Sequence, residues 1–242
     1  MRKVDILLCL MLFIYFVEIK SKVYQENADI YHEKYWEYQM PQGSEGAILE
    51  LFKFAEFIKP TDTVIDFGCG GGYLLNLLPG KVKIGIDINP NAFSIIESYG
   101  VKAYREPSEV PNEIADVIIT NHALEHVFNP FEVLQELYKK LKHNGLLIIV
   151  VPSEQAHDDN YQYSPDEPNH HVYTWTPQTL GNLVIYAGFY LEKAESIRHC
   201  WVGNFGEESK KPGFSLEEFH EKCRMAALEK GNYQIRVIAR KK

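Results

Sequence analysis

Residues 64–72 read VIDFGCGGG, an apolar run that ends in a carboxylate and passes into a series of glycines. The apolar residues predict a buried strand, and residues 72–78 have the spacing of a helix. Glycines between a strand and a helix allow a tight turn and let the backbone approach a ligand closely. The stretch therefore predicts the first strand–helix unit of an α/β sheet, with a ligand site at its turn.

Similar units follow along the chain. Strands are predicted at residues 63–67, 83–88, 101–104, 116–120, 146–151, 189–197 and 233–239. Helices are predicted at residues 47–58, 72–78, 91–99, 130–141, 176–187 and 216–230. Alternation of this kind favours right-handed βαβ units and a parallel sheet with helices on both faces. We therefore expect a Rossmann-like α/β domain with a seven-stranded, mostly parallel sheet.

Composition excludes some classes of partner. The chain has 242 residues and a formal net charge of -8, so no surplus of basic residues is present for non-specific binding to nucleic acid. The four cysteines form no CxxC pair, which argues against a disulfide framework and favours a reducing compartment. We expect a cytoplasmic protein that acts on a small molecule.

The N-terminus leaves three alternatives open. Residues 6–17 are apolar after a basic start, but the run is shorter than the roughly 20 residues of a membrane-spanning helix. Residues 1–22 are thus predicted to be a hydrophobic extension that packs on the domain, a short membrane anchor through residues 4–17, or a poor signal sequence. Residues 23–242 are predicted to form the main domain.

Two carboxylates define the expected cofactor. Asp66 precedes the first glycine, and the glycines follow D-x-G-x-G-x-G rather than the G-x-G-x-x-G of dinucleotide dehydrogenases. An acidic residue there suits the ammonium of S-adenosylmethionine (SAM) and would repel a pyrophosphate. Asp87 ends the second strand, where a carboxylate can accept ribose hydroxyls. This pattern disfavours the rival interpretation, a nicotinamide-dependent oxidoreductase.

On these motifs, residues 47–239 resemble the class I SAM-dependent methyltransferase superfamily. The resemblance implies a final antiparallel strand at residues 233–239. In that family the glycine motif binds the methionine part, which implies contacts from Asp66, Gly68 and Gly70. The acidic residue after the second strand binds ribose and the next residue lies beside the adenine, which implies Asp87 and Ile88. A residue after the third strand bonds the adenine amine, here Glu106, and residues after the fourth strand line the methionine and acceptor, here Asn121 and His122.

A histidine-rich segment is the candidate for the chemistry. His122, Glu125 and His126 follow the fourth strand at a spacing that places them on one face of a helix start. His171 ends a long polar loop after the fifth strand, at the same edge of the sheet. Imidazoles and a carboxylate can hold a metal ion, and His126 or His171 could instead act as a general base in catalysis. Histidines that merely line a pocket are the third alternative.

The same segment resembles the metal motif of small-RNA 2′-O-methyltransferases and of ubiquinone-pathway O-methyltransferases. The resemblance implies that His122, Glu125, His126 and His171 hold a divalent metal ion. His122 stands where that motif has a glutamate, and one carboxylate fewer favours a softer ion than Mg²⁺. We therefore expect transfer of a methyl group from SAM to a small molecule, at oxygen. A non-catalytic SAM-binding protein and an RNA 2′-O-methyltransferase are the alternatives.

Overall fold

The computed structural model describes residues 33–153, 163–164, 169–203, 205–231 and 233–242. Its strands are β1 Thr63–Phe67, β2 Val82–Ile86, β3 Lys102–Tyr104, β4 Ala115–Asn121, β5 Leu141–Pro152, β6 Tyr190–Ile197 and β7 Gln234–Arg240. Its helices are α1 Glu33–Glu50, α2 Tyr73–Leu77, α3 Pro90–Ser98, α4 Pro130–Lys140, α5 Pro177–Tyr186, α6 Phe205–Glu208 and α7 Leu216–Lys230.

The strands form a seven-stranded sheet in the order β3-β2-β1-β4-β5-β7-β6. The pairs from β3 to β5 are parallel, whereas β7 runs antiparallel to both β5 and β6. The mostly parallel sheet and its antiparallel last strand confirm the predicted fold class. In such a sheet the carboxyl ends of β1, β2, β4 and β5 share one edge, where α/β proteins bind their ligands.

Side chains alternate between the two faces of this sheet. In β1, Val64 packs with Leu75 of α2 and Ile96 of α3, while the adjacent Ile65 packs on the opposite face with Leu134 of α4. All five side chains are almost fully buried. Continuous apolar strands are therefore required, because helices cover both faces, as predicted.

The helix predicted at residues 47–58 is wrong in its bounds. The structure has α1 at Glu33–Glu50, followed by 3-10 turns at Leu51–Lys53 and Ala55–Phe57. Gly43 and Gly46 lie inside α1 instead of preceding it. A Cβ at Gly46 would overlap the indole of Trp201, and one at Gly43 would lie 3.3 Å from the ring of Tyr73. Tertiary packing of aromatic rings on the bare helix backbone thus outweighs the low helix propensity of glycine.

Other boundaries move by a few residues. The largest shift is in β5, which begins at Leu141, because Leu141 pairs with Ala115 of β4 before the regular ladder starts at Leu146. The prediction for residues 1–22 lies outside the described residues. Most of the polar loop after β5 also lies outside them, namely residues 154–162 and 165–168. Among the described helices, none is long and apolar enough to cross a membrane.

Candidate active site

A cavity of about 1510 Å³ opens at the carboxyl edge of the sheet. Pockets for one small molecule usually measure roughly 300–1,000 Å³, so this cavity has room for a cofactor and a second molecule. The residues predicted to bind a cofactor or a metal all line it: Asp66, Gly68, Gly70, Asp87, Ile88, Glu106, Asn121, His122, Glu125, His126 and His171.

The glycine turn is held against two neighbouring strands. The amides of Gly68 and Cys69 donate to the carbonyl of Ile86 at 2.8 and 3.1 Å. Gly68 has a φ of 73°, in the left-handed region that glycine adopts without strain. A Cβ at Gly68 would overlap the Cβ of Ala123. Glycine at this position therefore lets the turn lie directly against the segment that follows β4.

Asp66 is a buried carboxylate at the base of this turn. Its exposed fraction is 2%, and its Oδ1 has no hydrogen-bond partner among the described residues. Burial, together with the nearby charge of Asp87, raises the pKa of Asp66 to about 8. Oδ1 of Asn121, on the adjacent strand end, is also buried without a partner in the described part of the chain. Both oxygens are acceptors, so they fit a ligand that brings hydrogen-bond donors and positive charge, such as an ammonium group.

Asp87 bridges the glycine turn and the start of α3. Its Oδ2 accepts from the amide of Gly70 at 2.7 Å, and its Oδ1 accepts from the amide of Asn89 at 2.9 Å. Burial raises its pKa although both bonds act in the opposite direction. Each oxygen keeps a second lone pair, which fits the hydroxyls of a ribose. The amide of Asp87 donates to the carbonyl of Tyr104, and this contact brings the end of β3, with Glu106 just beyond it, to the same wall.

The histidine cluster forms on a 3-10 turn, Leu124–His126, rather than on the expected helix start. Glu125 is fully buried there. Its Oε1 lies 3.4 Å from Nδ1 of His122, 4.0 Å from Nε2 of His126 and 4.0 Å from Nε2 of His171. His122 has a φ of 52°, which is uncommon for a residue with a side chain and typical of functional sites when the fold enforces it. Three imidazoles thus converge on one buried carboxylate.

Backbone pairing brings His171 to this cluster. The amides of Val172 and Tyr173 donate to the carbonyl of Glu125 at 2.9 and 3.1 Å. The rings of His126 and His171 then meet edge to face, with centroids 4.8 Å apart. The sequence predicts only that His126 and His171 lie at the same edge of the sheet. The two amide hydrogen bonds to Glu125 explain why their rings are in direct contact.

The donor set of the cluster suits a divalent cation. Ligand atoms of Glu125, His126 and His171 lie within 4.8 Å of one another, and His122 is outside this set. Burial would raise the pKa of Glu125, but His122 and His126 outweigh it, so the pKa is lowered and the carboxylate stays ionised. Burial lowers the pKa of His126 to about 4, against the pull of Glu125, and keeps its ring neutral near pH 7. A carboxylate combined with imidazole nitrogens is a typical ligand set for Mn²⁺, Fe²⁺, Co²⁺ or Zn²⁺.

Another part of the cavity contains residues that the sequence alone did not single out. Lys53 is fully buried and forms an ion pair with Glu50, and the indole Nε1 of Trp201 donates to Oε1 of Glu50 at 3.0 Å. Burial would raise the pKa of Glu50, but Lys53 first and His122 second lower it to about 2. Glu50, Trp201 and the nearby Gln234 all line the cavity. No local motif marks them, because they come from three distant segments.

Comparisons with known proteins agree with this geometry. The family model described as "Methyltransferase domain" matches residues 35–194. An uncharacterized methyltransferase of Schizosaccharomyces pombe is 31% identical over 106 residues, which cover 38% of this chain and 40% of that protein. A ubiquinone biosynthesis O-methyltransferase of Glaesserella parasuis is 28% identical over 102 residues, covering 36% and 43% of the two chains. The chain thus matches about two fifths of the length of these curated relatives.

Solved structures share the fold over most of the chain. A SAM-dependent methyltransferase from Archaeoglobus fulgidus aligns with a TM-score of 0.61 and 20% identity, over 86% of this chain and all (100%) of that one. A SAM-dependent methyltransferase from Thermotoga maritima, described as a possible histamine N-methyltransferase, aligns with a TM-score of 0.62 and 18% identity, over 89% and 100%.

Proposed function

Because this chain belongs to the methyltransferase domain family, we propose that it transfers the methyl group of SAM to a hydroxyl oxygen of a small molecule, beside a divalent metal ion. One observation carries the proposal. A single cavity joins Asp66, a buried carboxyl group whose Oδ1 has no partner in the described part of the chain, to Glu125, a carboxylate with three imidazoles around it. The carboxyl group at the glycine turn fits the cofactor, and the histidine cluster around Glu125 fits the activation of an acceptor.

The glycine turn would hold SAM in one orientation. Asp66 and Asn121 would accept hydrogen bonds from the methionine ammonium, and Asp87 would accept them from the ribose hydroxyls. Ile88 and Glu106 line the same cavity and would contact the adenine. When bound, SAM would supply an activated methyl group: the acceptor oxygen would form a bond to the methyl carbon as the carbon–sulfur bond breaks, S-adenosylhomocysteine would leave with the electron pair of that bond, and the hydroxyl proton would pass to solvent. The protein then has to align the acceptor oxygen with that carbon and weaken its O–H bond.

The histidine cluster would serve the second task. Glu125, His126 and His171 would hold the divalent cation, which lowers the pKa of a hydroxyl that binds to it. A pKa of about 4 makes His126 a poor base near neutral pH, so its geometry and protonation suit a ligand better. The name of the Glaesserella parasuis relative, an O-methyltransferase, also favours oxygen as the acceptor atom.

Metal binding can be tested without an acceptor. We expect the chelator-treated protein to bind one Mn²⁺ or Co²⁺ per chain in calorimetry, with an affinity that falls at least about tenfold in His126→Ala and in His171→Ala. The exposed His143 is remote from the cavity, so His143→Ala is the matched control and should bind the ion as the wild type does. Equal metal content in the wild type and both cluster variants would contradict the metal site.

The raised pKa of Asp66 predicts pH-dependent cofactor binding. At pH 7 a carboxyl with a pKa of about 8 is mostly protonated, whereas an ammonium ligand favours the ionised form. SAM binding should therefore release about one proton per chain at pH 7, and the affinity should rise up to about tenfold per pH unit as the pH approaches 8. Calorimetry in buffers with different ionisation heats measures the release. Asp66→Asn should lose most of it, and a pH-independent affinity between about pH 6 and pH 8 would contradict this role.

The overall activity has a separate test. In calorimetry the protein should bind SAM and not NAD, and in the presence of a small-molecule extract it should convert SAM to S-adenosylhomocysteine. Binding of NAD without SAM would favour an oxidoreductase. Binding of SAM without any product from any extract would favour a non-catalytic SAM-binding protein.

A further inference from the structure

One wall of the cavity is built by the end of α1, residues 199–201 and the start of β7. We call Glu50, His199, Trp201 and Gln234 the distal wall. All four residues line the cavity that also contains the glycine turn and the histidine cluster. In the sheet, β4 and β5 separate β7 from β1, so the part of the distal wall at the start of β7 stands apart from the glycine turn that follows β1.

Trp201 is fixed from two sides. Its indole Nε1 donates to Glu50, whose other oxygen is paired with Lys53. Its ring also packs on the bare backbone of α1 at Gly46, where any Cβ would overlap it. About 39% of Trp201 stays exposed, and it contributes to the cavity lining. The indole thus offers a preorganised flat surface, which suits the face of an apolar ring or chain.

Two polar atoms beside this surface are buried and have no partner among the described residues. Oε1 of Gln234 is one, and the Nε2 of the same side chain donates to the carbonyl of His199 at 3.3 Å. Nδ1 of His199 is the other, and Nε2 of that ring lies 3.1 Å from Nδ1 of His220. His199 is only 2% exposed. Buried polar atoms normally find partners, so these two indicate a ligand that supplies hydrogen bonds.

The charges around the cavity are one-sided. Among the described residues, one guanidinium lines the cavity, that of Arg105 beyond β3, against seven acidic side chains: Glu50, Asp66, Asp87, Glu106, Glu125, Glu132 and Glu136. Within the described ranges, no lysine or arginine lines the distal wall, and the ammonium of Lys53 is buried behind it and paired with Glu50. A phosphate or carboxylate seated against the distal wall itself would meet Glu50 and find no lysine or arginine there, among the described residues, to pair with.

We propose that the distal wall is the acceptor subsite and that it selects a non-anionic small molecule, which stacks on Trp201 and donates O–H or N–H hydrogen bonds to Glu50 and Gln234. This inference rests on the proposed function, because it needs a methyl acceptor in the cavity. Glu50 and Gln234 act as specificity-determining residues and take no part in the bond changes.

The first experiment asks which charge class is methylated. The full chain is incubated with SAM that carries a labelled methyl group and with a small-molecule extract separated at pH 7 into anionic, neutral and cationic fractions. Label should enter the neutral or cationic fraction and not the anionic one. Label mainly in the anionic fraction would overturn the subsite while the methyltransferase activity stands. Label in no fraction would remove the proposed function, and the acceptor subsite with it.

The second experiment tests the residues on the fraction that accepts label. Gln234→Leu keeps the approximate volume and breaks no ion pair, and Trp201→Phe keeps an aromatic ring. Each should raise KM for the acceptor at least about tenfold, with kcat and the SAM Kd changed less than about twofold. Glu50→Gln should act in the same direction, but it leaves Lys53 without its counter-charge. Glu217 is exposed on α7, so Glu217→Gln is the matched control. An unchanged KM in both Gln234→Leu and Trp201→Phe would overturn the proposal.

Discussion

Gly68→Ala should weaken SAM binding at least about 100-fold, a loss of about 2.7 kcal/mol in binding free energy. Two costs combine at this position. A φ of 73° is unfavourable for alanine by roughly 1–2 kcal/mol. The new Cβ would also overlap the Cβ of Ala123, so the turn and the segment after β4 must separate. That separation moves Asn121 away from Asp66 and divides the proposed ammonium site.

Gly100 provides the matched control for this prediction. It has a φ of 71°, but a Cβ there would meet nothing within 4 Å, and the residue does not line the cavity. Gly100→Ala should therefore show the backbone strain as a small loss of thermal stability and keep the wild-type SAM affinity in calorimetry. Equal SAM affinity in Gly68→Ala and the wild type would show that the glycine turn does not contact the cofactor.

Glu125→Gln should reduce kcat for methyl transfer about 1,000-fold and leave the SAM Kd within about twofold of the wild type. The glutamine amide has the shape of the glutamate carboxylate but no charge. The variant therefore removes the negative charge that the three imidazoles surround. The substitution does not change the glycine turn, so we expect kcat to fall while the SAM Kd stays close to the wild-type value. Because the variant buries a neutral group in place of a charge, the fold should be retained.

The control for Glu125→Gln is the same change at an exposed carboxylate. Glu97 lies on the outer side of α3 and does not line the cavity, so Glu97→Gln should leave both kcat and SAM affinity unchanged. Methyl transfer by Glu125→Gln within about fivefold of the wild-type rate would show that the cluster only shapes the pocket.

The sheet, and the position of Asp66 and Asp87 in the lining of one cavity, could be predicted from the sequence because their signals are local. Apolar strands alternate with helices, and Asp66 stands a fixed number of residues before the glycines of the turn. Asp87 likewise follows directly from the end of β2. Each of these positions depends on a few consecutive residues, so periodicity and turn chemistry were enough to place them.

The other end of the site depends on contacts that no local pattern reveals. Gly46 favours a helix break by propensity, yet it lies in α1 because Trp201 packs on it. His171 reaches Glu125 through two amide hydrogen bonds of its neighbours. Glu50 and Lys53 resemble an ordinary surface pair at helical spacing, and only the packing of the whole domain buries them.

The strand order has a consequence for how the two halves of the cavity can change in evolution. The residues proposed to bind the cofactor all lie within residues 66–122, at the ends of the neighbouring strands β3, β2, β1 and β4. The distal wall instead joins residue 50 to residues 199–234, from the two flanks of the domain. Insertions and substitutions in those flanks can reshape acceptor choice while the cofactor end keeps its geometry. Natural variation among relatives of this chain should therefore concentrate at the distal wall, where new substrates can be acquired without rebuilding the cofactor site.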